Sequence, residues 1–459
     1  MTRLLNCFRL IRNVVLLIFV GLMGLVVRWC RRFLGLPPRI WHGMFCSHLI
    51  PLQVEADRTA GFPSRSVVTS IPFRYELVRA DEFTVVLDAR GVKNHNLLWA
   101  GLFDLLLRGD IWVAFFDGLF YPVERDWENR LILRLLRLVG VKIVMVNYGG
   151  DVLTWHRSRG RYDWVARLRK DYPHWDIKAE SPKTARRIEL FCKHAAFVCN
   201  GDSSINRMMP RCDLLFKYFP ADCREVRPQH TTGNPIPVIA HAPQHRWVKG
   251  TDSLLLAVDS LKAKGFEFEL KLIERVPHRE ALALYAQADI LADQFCIGAW
   301  GAFAQEGLAL GKPVLTYLDQ EHLSDPAFNL PLVNTNLENI EQVLAVLIRV
   351  PELRERLGRA GRASVERYQS FEPIGEVWRQ IYNHVWRKSP LELEKTEHFN
   401  PARSSRAFTE DPADPAFWPV PVDDLLTAIR DALGAASFPM KYDSGPIISQ
   451  RELHVDSNA

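Results

Sequence analysis

The strongest constraint on the fold is a regular alternation of strand-like and helix-like segments across residues 236–318. Strand-like segments alternate with helical patterns at 251–261 and 281–288 and with a glycine-punctuated segment; the strand-like segments are 236–240, 266–273, 289–293 and 313–318. Such an alternation is typical of parallel strands joined by crossover helices. It predicts a doubly wound parallel sheet, in which ligands bind at the carboxyl ends of strands and at helix amino ends.

Two places in this stretch carry residues suited to an anionic ligand. Arg246 and Lys249 lie between the first strand and a helix for which Thr251 is the predicted N-cap. Two cations beside free backbone N–H groups suit a diphosphate. Farther on, Gly301 allows a backbone to approach a ligand closely. Glu306 falls about one to two turns into the next helix, where a carboxylate can accept hydrogen bonds from a ribose diol.

Several spaced motifs in residues 236–387 resemble the nucleotide-sugar domain of glycosyltransferase family 4, which has the GT-B fold. That family carries Glu-x7-Glu, with Gly three residues after the first Glu and Ala-x-Gly-x-Pro-Val after the second. The residues in register here are Gly301, Glu306, Ala309, Gly311, Pro313 and Val314. Residues 249–252 resemble the family's diphosphate segment, and residues 284–289 resemble its Leu-Tyr-x-x-Ala-Asp segment.

The resemblance implies an α/β protein of the GT-B fold, with two Rossmann-like domains facing a cleft. It implies a retaining glycosyltransferase of the hexosyltransferase type, with a nucleotide-diphosphate sugar as co-substrate, a glycan or lipid-linked acceptor, no cofactor and no metal. The donor-binding residues it implies are Arg246, Lys249, Gly301, Ala302, Phe303 and Glu306. Gly298 stands where the family has its first Glu, and Gln244 where it has a basic residue. Because of Gly298, a catalytically degenerate GT-B scaffold at the membrane is the alternative.

The amino-terminal half repeats the alternation with weaker motifs. Helical patterns separate strand-like runs at 83–87, 111–116, 141–146 and 195–199. This half resembles the acceptor-side domain of the same fold. Asp117 and Asp151 each follow a strand end, and residues 148–151 resemble the family's Gly-x-Asp turn. The resemblance implies that these aspartates are catalytic and orient the acceptor hydroxyl or the donor sugar; helix capping is an equally open interpretation.

An apolar segment bracketed by arginines opens the chain. Residues 14–27 are uncharged, and residues 1–50 hold seven arginines and no Lys, Asp or Glu, which makes them +7 in a chain of net charge +5. A helix of this run spans about 21 Å, against about 30 Å of hydrocarbon core. The pattern predicts membrane attachment through residues 1–36, with the catalytic domains on the cytoplasmic face. It leaves open whether the segment spans the membrane or lies on it, and a buried hydrophobic helix is the alternative.

The predicted organisation has five parts: a membrane-associating helix at 1–36, a lead-in at 37–70, an acceptor-side domain at 71–232, a nucleotide-sugar domain at 233–388 and a mostly disordered tail at 389–459. The tail is assigned from its richness in Pro, Asp and Ser.

Several classes of protein are disfavoured. The eight cysteines form no Cys-x-x-Cys pair, so neither a zinc ribbon nor a disulfide framework is indicated. No Gly-x-Gly-x-x-Gly follows a strand, which argues against a nicotinamide oxidoreductase. The arginines at 130, 134 and 137 recur at helical spacing and suit either anionic lipid or solvent. No nucleic-acid recognition module accompanies them, and no nucleic-acid partner is expected.

Overall fold

The computed structural model describes residues 2–44, 49–70, 85–88, 95–116, 126–152, 167, 170, 182–206, 208–229, 234, 236–319 and 330–399. Across these ranges the chain forms two parallel β-sheets with helices as crossovers, one of seven strands and one of five. The predicted α/β architecture with parallel sheets in two domains is confirmed.

The first sheet has the strand order β3-β2-β1-β4-β5-β6-β7. Its strands are β1 (Ile40–Met44), β2 (Ser64–Ser70), β3 (Val85–Asp88), β4 (Ile111–Phe115), β5 (Lys142–Val146), β6 (Phe197–Asn200) and β7 (Leu214–Leu215). The helices of this half are α1 (Thr2–Phe33), α2 (Leu49–Thr59), α3 (His95–Arg108), α4 (Asp126–Leu138), α5 (Pro182–His194) and α6 (Ser203–Asn206). β4 and β5 are almost completely buried, as expected for parallel strands covered on both faces.

Residues 37–70 do not form the predicted lead-in but supply β1, α2 and β2. β1 is an inner strand, paired with β2 on one side and β4 on the other. The strand is short and includes His42 and Gly43, so its local composition carries a weak strand signal. Pairing on both edges and burial of Trp41 override that composition.

The second sheet has the strand order β12-β11-β10-β8-β9. Its strands are β8 (Val238–His241), β9 (Glu269–Leu272), β10 (Ile290–Gln294), β11 (Val314–Thr316) and β12 (Val333–Asn334). The helices are α7 (Arg246–Lys249), α8 (Thr251–Ala263), α9 (His278–Ala286), α10 (Ala302–Ala309), α11 (Ile340–Arg349) and α12 (Pro351–Tyr368). β8 to β11 correspond to the four strands predicted in residues 236–318.

The last long helix, α13 (Phe371–Arg387), returns to the first sheet and packs on α2. Tyr382 Oη donates to Asp57 Oδ1 (2.9 Å), and Trp378 Nε1 donates to the Tyr218 carbonyl (3.0 Å). Residues 389–399, assigned from sequence to the disordered tail, are packed instead, because His398 is buried and lies against Phe216. The rest of the predicted tail lies outside the described residues.

Helix α1 precedes β1 and packs on α3. Leu17 and Arg28 are buried in this contact, while most of the apolar residues between them are exposed. In the part of the chain that the structure describes, no helix is both long enough and apolar enough to cross a membrane.

Candidate functional site

Three neighbouring strands of the second sheet bring the predicted binding residues to one edge. β11, β10 and β8 are adjacent and parallel, so the segments that follow them emerge side by side. The Phe295 amide donates to the Lys249 carbonyl (3.1 Å), and the Asp319 amide donates to the Gly298 carbonyl (2.8 Å). These bonds join the three segments into one surface.

Lys249 and Arg246 lie in different environments, although sequence reasoning placed them together. Lys249 Nζ donates to Asp293 Oδ1 (2.5 Å), and the Asp293 side chain is only 1% exposed. The Arg246 guanidinium is 45% exposed and pairs through two nitrogens with Glu274 (2.8 and 2.5 Å). This pairing raises the pKa of Arg246 and lowers the pKa of Glu274. Lys249 is therefore held at the sheet edge, and Arg246 is held toward the end of β9.

The helix after Lys249 begins differently from the sequence prediction. Gly250, in the left-handed conformation (φ +75°), is the N-cap of α8, and Thr251 is its first residue. The Thr251 hydroxyl donates to His241 Nε2 (2.8 Å), while His241 Nδ1 donates to the Ala292 carbonyl (2.7 Å). Burial lowers the pKa of His241 to about 4, so the ring is neutral and acts as a fixed bridge between β8, β10 and α8.

The loop after β10 is organised by Gln294, a buried residue that sequence reasoning missed. Its Nε2 donates to the carbonyls of Ala299 (2.9 Å) and Tyr317 (2.8 Å), and its Oε1 accepts from the amides of Cys296 (3.0 Å) and Ile297 (2.7 Å). A buried amide with satisfied donors and acceptors fixes a loop because any rearrangement would leave them unpaired. The glycine-punctuated segment is thus held in one conformation before α10 begins.

Gly298 and Gly301 are glycines for different reasons. Gly298 has φ +85°, and a Cβ there would lie 3.0 Å from Asp319 Oδ2, so the Asp319 carboxylate already occupies that space. Gly301 is the N-cap of α10, and among the described residues nothing lies within 4 Å of the position its Cβ would take. A carboxylate therefore lies over Gly298, while the backbone at Gly301 is open to a ligand.

The predicted residues on α10 face α9. Glu306 Oε1 accepts from His278 Nε2 (2.7 Å), the first residue of α9. The Phe303 ring packs edge-on against Tyr285 at 4.7 Å between ring centroids, and Ala302 is the partly exposed first residue of α10. Burial raises the pKa of Tyr285, and the negative charges of Glu306 and Asp293 raise it further. The sequence contained Tyr285 in a recognised motif but offered no signal for His278.

A buried lysine from the first domain borders this surface. Lys217 follows β7, is 4% exposed, and its Nζ lies 4.7 Å from the centre of the Trp300 ring in the loop before α10. Burial lowers the pKa of Lys217, while the charges of Asp202 and Asp293 oppose the shift. Sequence reasoning missed Lys217 because nothing local distinguishes it from a surface lysine.

The two predicted catalytic aspartates have separate outcomes. Asp117 lies outside the described residues. The Asp151 carboxylate is buried and accepts from the backbone amides of Phe116 (3.0 Å), Tyr148 (3.1 Å) and Gly149 (3.1 Å). It therefore closes the turn after β5 and ties it to the end of β4. Its catalytic role stays a prediction.

No known protein family matches the sequence, and no curated protein matches it either. Solved structures do match. Sucrose-phosphate synthase from Thermosynechococcus elongatus aligns with 77% of this chain and 100% of its own at a TM-score of 0.50 and 12% identity. WaaG, a glycosyltransferase involved in lipopolysaccharide biosynthesis, aligns over 75% of this chain and 99% of its own, with a TM-score of 0.43 and 12% identity. A putative UDP-N-acetylglucosamine 2-epimerase from Listeria monocytogenes aligns over 77% of this chain and 98% of its own, with a TM-score of 0.45 and 12% identity. The likeness to the synthase confirms the GT-B fold, and membership of family 4 stays a prediction.

Proposed function

We propose that this protein is a glycosyltransferase that moves a sugar from a nucleotide-diphosphate sugar to an acceptor hydroxyl with retention of configuration. The observation that carries the proposal is the shared sheet edge, where Lys249 follows β8 and the open backbone at Gly301 follows β10, with Glu306 in the helix that begins there. A cation, free helix amides and a carboxylate are the groups that a diphosphate joined to a ribose requires.

The diphosphate is bound by Lys249 and the amide groups at the start of α10. Negative charge develops on this group as the bond to the sugar breaks, so donors fixed in advance stabilise the transition state more than the ground state. Asp293 positions the Lys249 ammonium, whose other two N–H groups stay available to phosphate oxygens. Arg246 reaches the same group by exchanging Glu274 for phosphate. The transfer uses no cofactor and no metal.

The ribose is bound by Glu306, which His278 holds in place. A carboxylate accepts hydrogen bonds from both hydroxyls of a diol, and the His278 bond fixes its orientation. Phe303 and Tyr285 form the apolar wall beside it. The sugar lies on the other side of the diphosphate, where the Asp319 carboxylate accepts from its hydroxyls in place of the missing first Glu.

The acceptor is a glycan or a lipid-linked glycan, and the enzyme acts at the cytoplasmic face of a membrane to which its amino-terminal segment attaches. Support for the attachment is the exposed apolar surface of α1. Asp117 or Asp151 orients the acceptor or the donor sugar.

A nucleotide panel tests the proposal. UDP, GDP or ADP should raise the thermal midpoint of the full chain, whereas NAD should not. Lys249→Met should abolish the shift, while Lys264→Met, which removes an exposed lysine paired with Glu341 on α11, should preserve it. Labelled donors incubated with membrane extract should then yield a product whose anomeric configuration shows retention or inversion. If no nucleotide stabilises the wild type, the degenerate scaffold becomes the better interpretation.

A further inference from the structure

One narrow stripe of α1 packs on the first domain. Its members are Leu17, Gly21, Gly24 and Arg28, all buried and spaced by four, three and four residues, which is the repeat of one helix face. A Cβ at Gly21 would lie 3.0 Å from Val139 Cγ1, and one at Gly24 would lie 2.2 Å from the Leu106 carbonyl oxygen. The two glycines therefore let the backbone of α1 rest directly on the carboxyl ends of α3 and α4.

Arg28 stabilises this contact through three hydrogen bonds. Its guanidinium donates to the carbonyls of Leu106 (2.9 Å), Gly109 (3.0 Å) and Val139 (2.9 Å), which lie at the ends of α3 and α4. These are carbonyls that helix termini leave without partners. Burial lowers the pKa of Arg28 to about 10, so the side chain remains charged at neutral pH. Arg31 adds an ion pair with the buried Asp110 (3.2 Å). The carboxyl half of α1 is thus a fixed part of the domain.

The opposite side of α1 is almost entirely apolar and exposed. Eleven large apolar side chains between Val15 and Phe33 are 38–79% exposed. Proteins in water rarely expose contiguous apolar patches of more than a few hundred Å² without a binding role. Among the described side chains of α1, this surface runs from Val15 to Phe33.

Basic and apolar groups of α4 and the start of β5 adjoin that surface. Leu138 is 77% exposed and directly precedes Val139, the residue that touches Gly21. Arg134 and Arg137 are exposed on the same helix. Burial lowers the pKa of Lys142, and the nearby charges of Arg32, Lys388 and Arg137 lower it further. Positive groups held this close repel one another, and an anionic surface would relieve the repulsion.

We infer that α1 lies parallel to the plane of a membrane, with its apolar side among the acyl chains and the adjoining arginines of α4 against anionic lipid headgroups. A helix that crosses a bilayer alone meets lipid on every side, whereas the stripe of α1 from Leu17 to Arg28 is occupied by the domain. An exposed apolar surface that runs along α1 from Val15 to Phe33, with basic residues at its border, is the pattern of an interfacial helix. The inference deepens the proposed membrane attachment and does not depend on the donor chemistry.

Vesicle flotation of the full chain tests the surface. Wild-type protein should bind vesicles of phosphatidylcholine with phosphatidylglycerol, and Phe19→Asp with Val26→Asp should reduce binding by about tenfold or more. Leu256→Asp is the matched control, because Leu256 is 71% exposed on α8 of the second domain, and it should bind like wild type. Arg134→Glu with Arg137→Glu should weaken binding only when anionic lipid is present. All variants should keep donor hydrolysis in solution, which separates failure here from failure of the proposed enzyme activity.

A depth measurement distinguishes the two orientations. An environment-sensitive label placed in turn at the exposed positions 18, 19, 22, 23, 25, 26 and 27 should show quenching by lipid-borne quenchers that oscillates with the helical repeat. A single rise and fall across these positions would mean a spanning helix and would overturn the inference. Unchanged binding by the Phe19 and Val26 variant would also overturn it. The inference would likewise be overturned if the wild type did not bind vesicles but formed a dimer that the same substitutions dissociate.

Discussion

Replacing Lys249 with methionine should reduce stability and donor turnover through two separable effects. The Lys249 ammonium is 2.5 Å from Asp293 Oδ1, and the Asp293 side chain is 1% exposed, so the variant leaves a buried carboxylate without its partner. Breaking such a pair costs about 3–5 kcal/mol. Because Lys217 also attracts the Asp293 carboxylate, we expect the loss in free energy of unfolding to be near the lower end of this range.

The effect on turnover has a different origin. A charge-assisted contact to a phosphate contributes about 1.5–3 kcal/mol, which corresponds to a loss of about ten- to 150-fold in kcat/KM. The double variant Lys249→Met with Asp293→Asn has no unpaired buried charge. It should recover most of the free energy of unfolding but none of the turnover.

Urea unfolding and donor hydrolysis of the wild type, the single variant and the double variant separate the effects. Arg246→Ala is the comparison for stability, because its exposed pair with Glu274 should contribute less than about 1 kcal/mol. If the double variant regains wild-type kcat/KM, Lys249 does not contact the donor. If the single variant unfolds like wild type, the pair with Asp293 is not the buried interaction described above.

Three further substitutions test other parts of the molecule. Glu306→Gln should raise the donor KM and make kcat/KM for the donor similar to kcat/KM for its deoxyribose analogue. If the ratio of these two values stays as in the wild type, Glu306 does not bind the ribose. Asp319→Asn should lower kcat/KM for the nucleotide sugar by about tenfold or more while leaving nucleoside diphosphate affinity unaltered, and equal losses of both would contradict a role at the sugar. Burial lowers the pKa of Lys312 to about 8 from an ordinary 10.5. The unfolded chain then binds more protons between these pH values, so the free energy of unfolding rises with pH across that window. Lys312→Met should be more stable than wild type at pH 7 by about 3 kcal/mol, with the difference disappearing toward pH 10.5; a constant difference would refute the titration.

The second sheet and the segments that carry the candidate site residues could be predicted from sequence because their signals are local. β8, β10 and β11 begin with apolar residues, β9 alternates polar and apolar residues, and the glycines near α10 stand at the positions of a recognised motif. Such a pattern reflects which backbone positions face the interior, and it can be recognised within a few consecutive residues. β1 escaped prediction because its five residues carry a weak apolar signal and gain their stability from two partner strands.

The side chains that complete the site could not be predicted, because their partners are distant in the chain. Lys249 and Asp293 are 44 residues apart, and His278 and Glu306 are 28 apart. Nothing in the local sequence records that β8 and β10 are neighbours, so only the folded sheet brings these charges together. The space over Gly298 is likewise filled from the segment that follows another strand, β11, by Asp319.

Helix α1 shows the same division. The amino-acid sequence alone determines that residues 14–27 are apolar and uncharged and that arginines flank them. An apolar helix with no polar side has no sequence signal for which face is covered. The tertiary structure decides this through two glycines that admit close backbone contact and through Arg28, which reaches the Val139 carbonyl 111 residues away. The shape of the ends of α3 and α4, and the carbonyls there that accept from Arg28, determine which stripe of α1 is buried. The remaining apolar surface of α1 is exposed as a result.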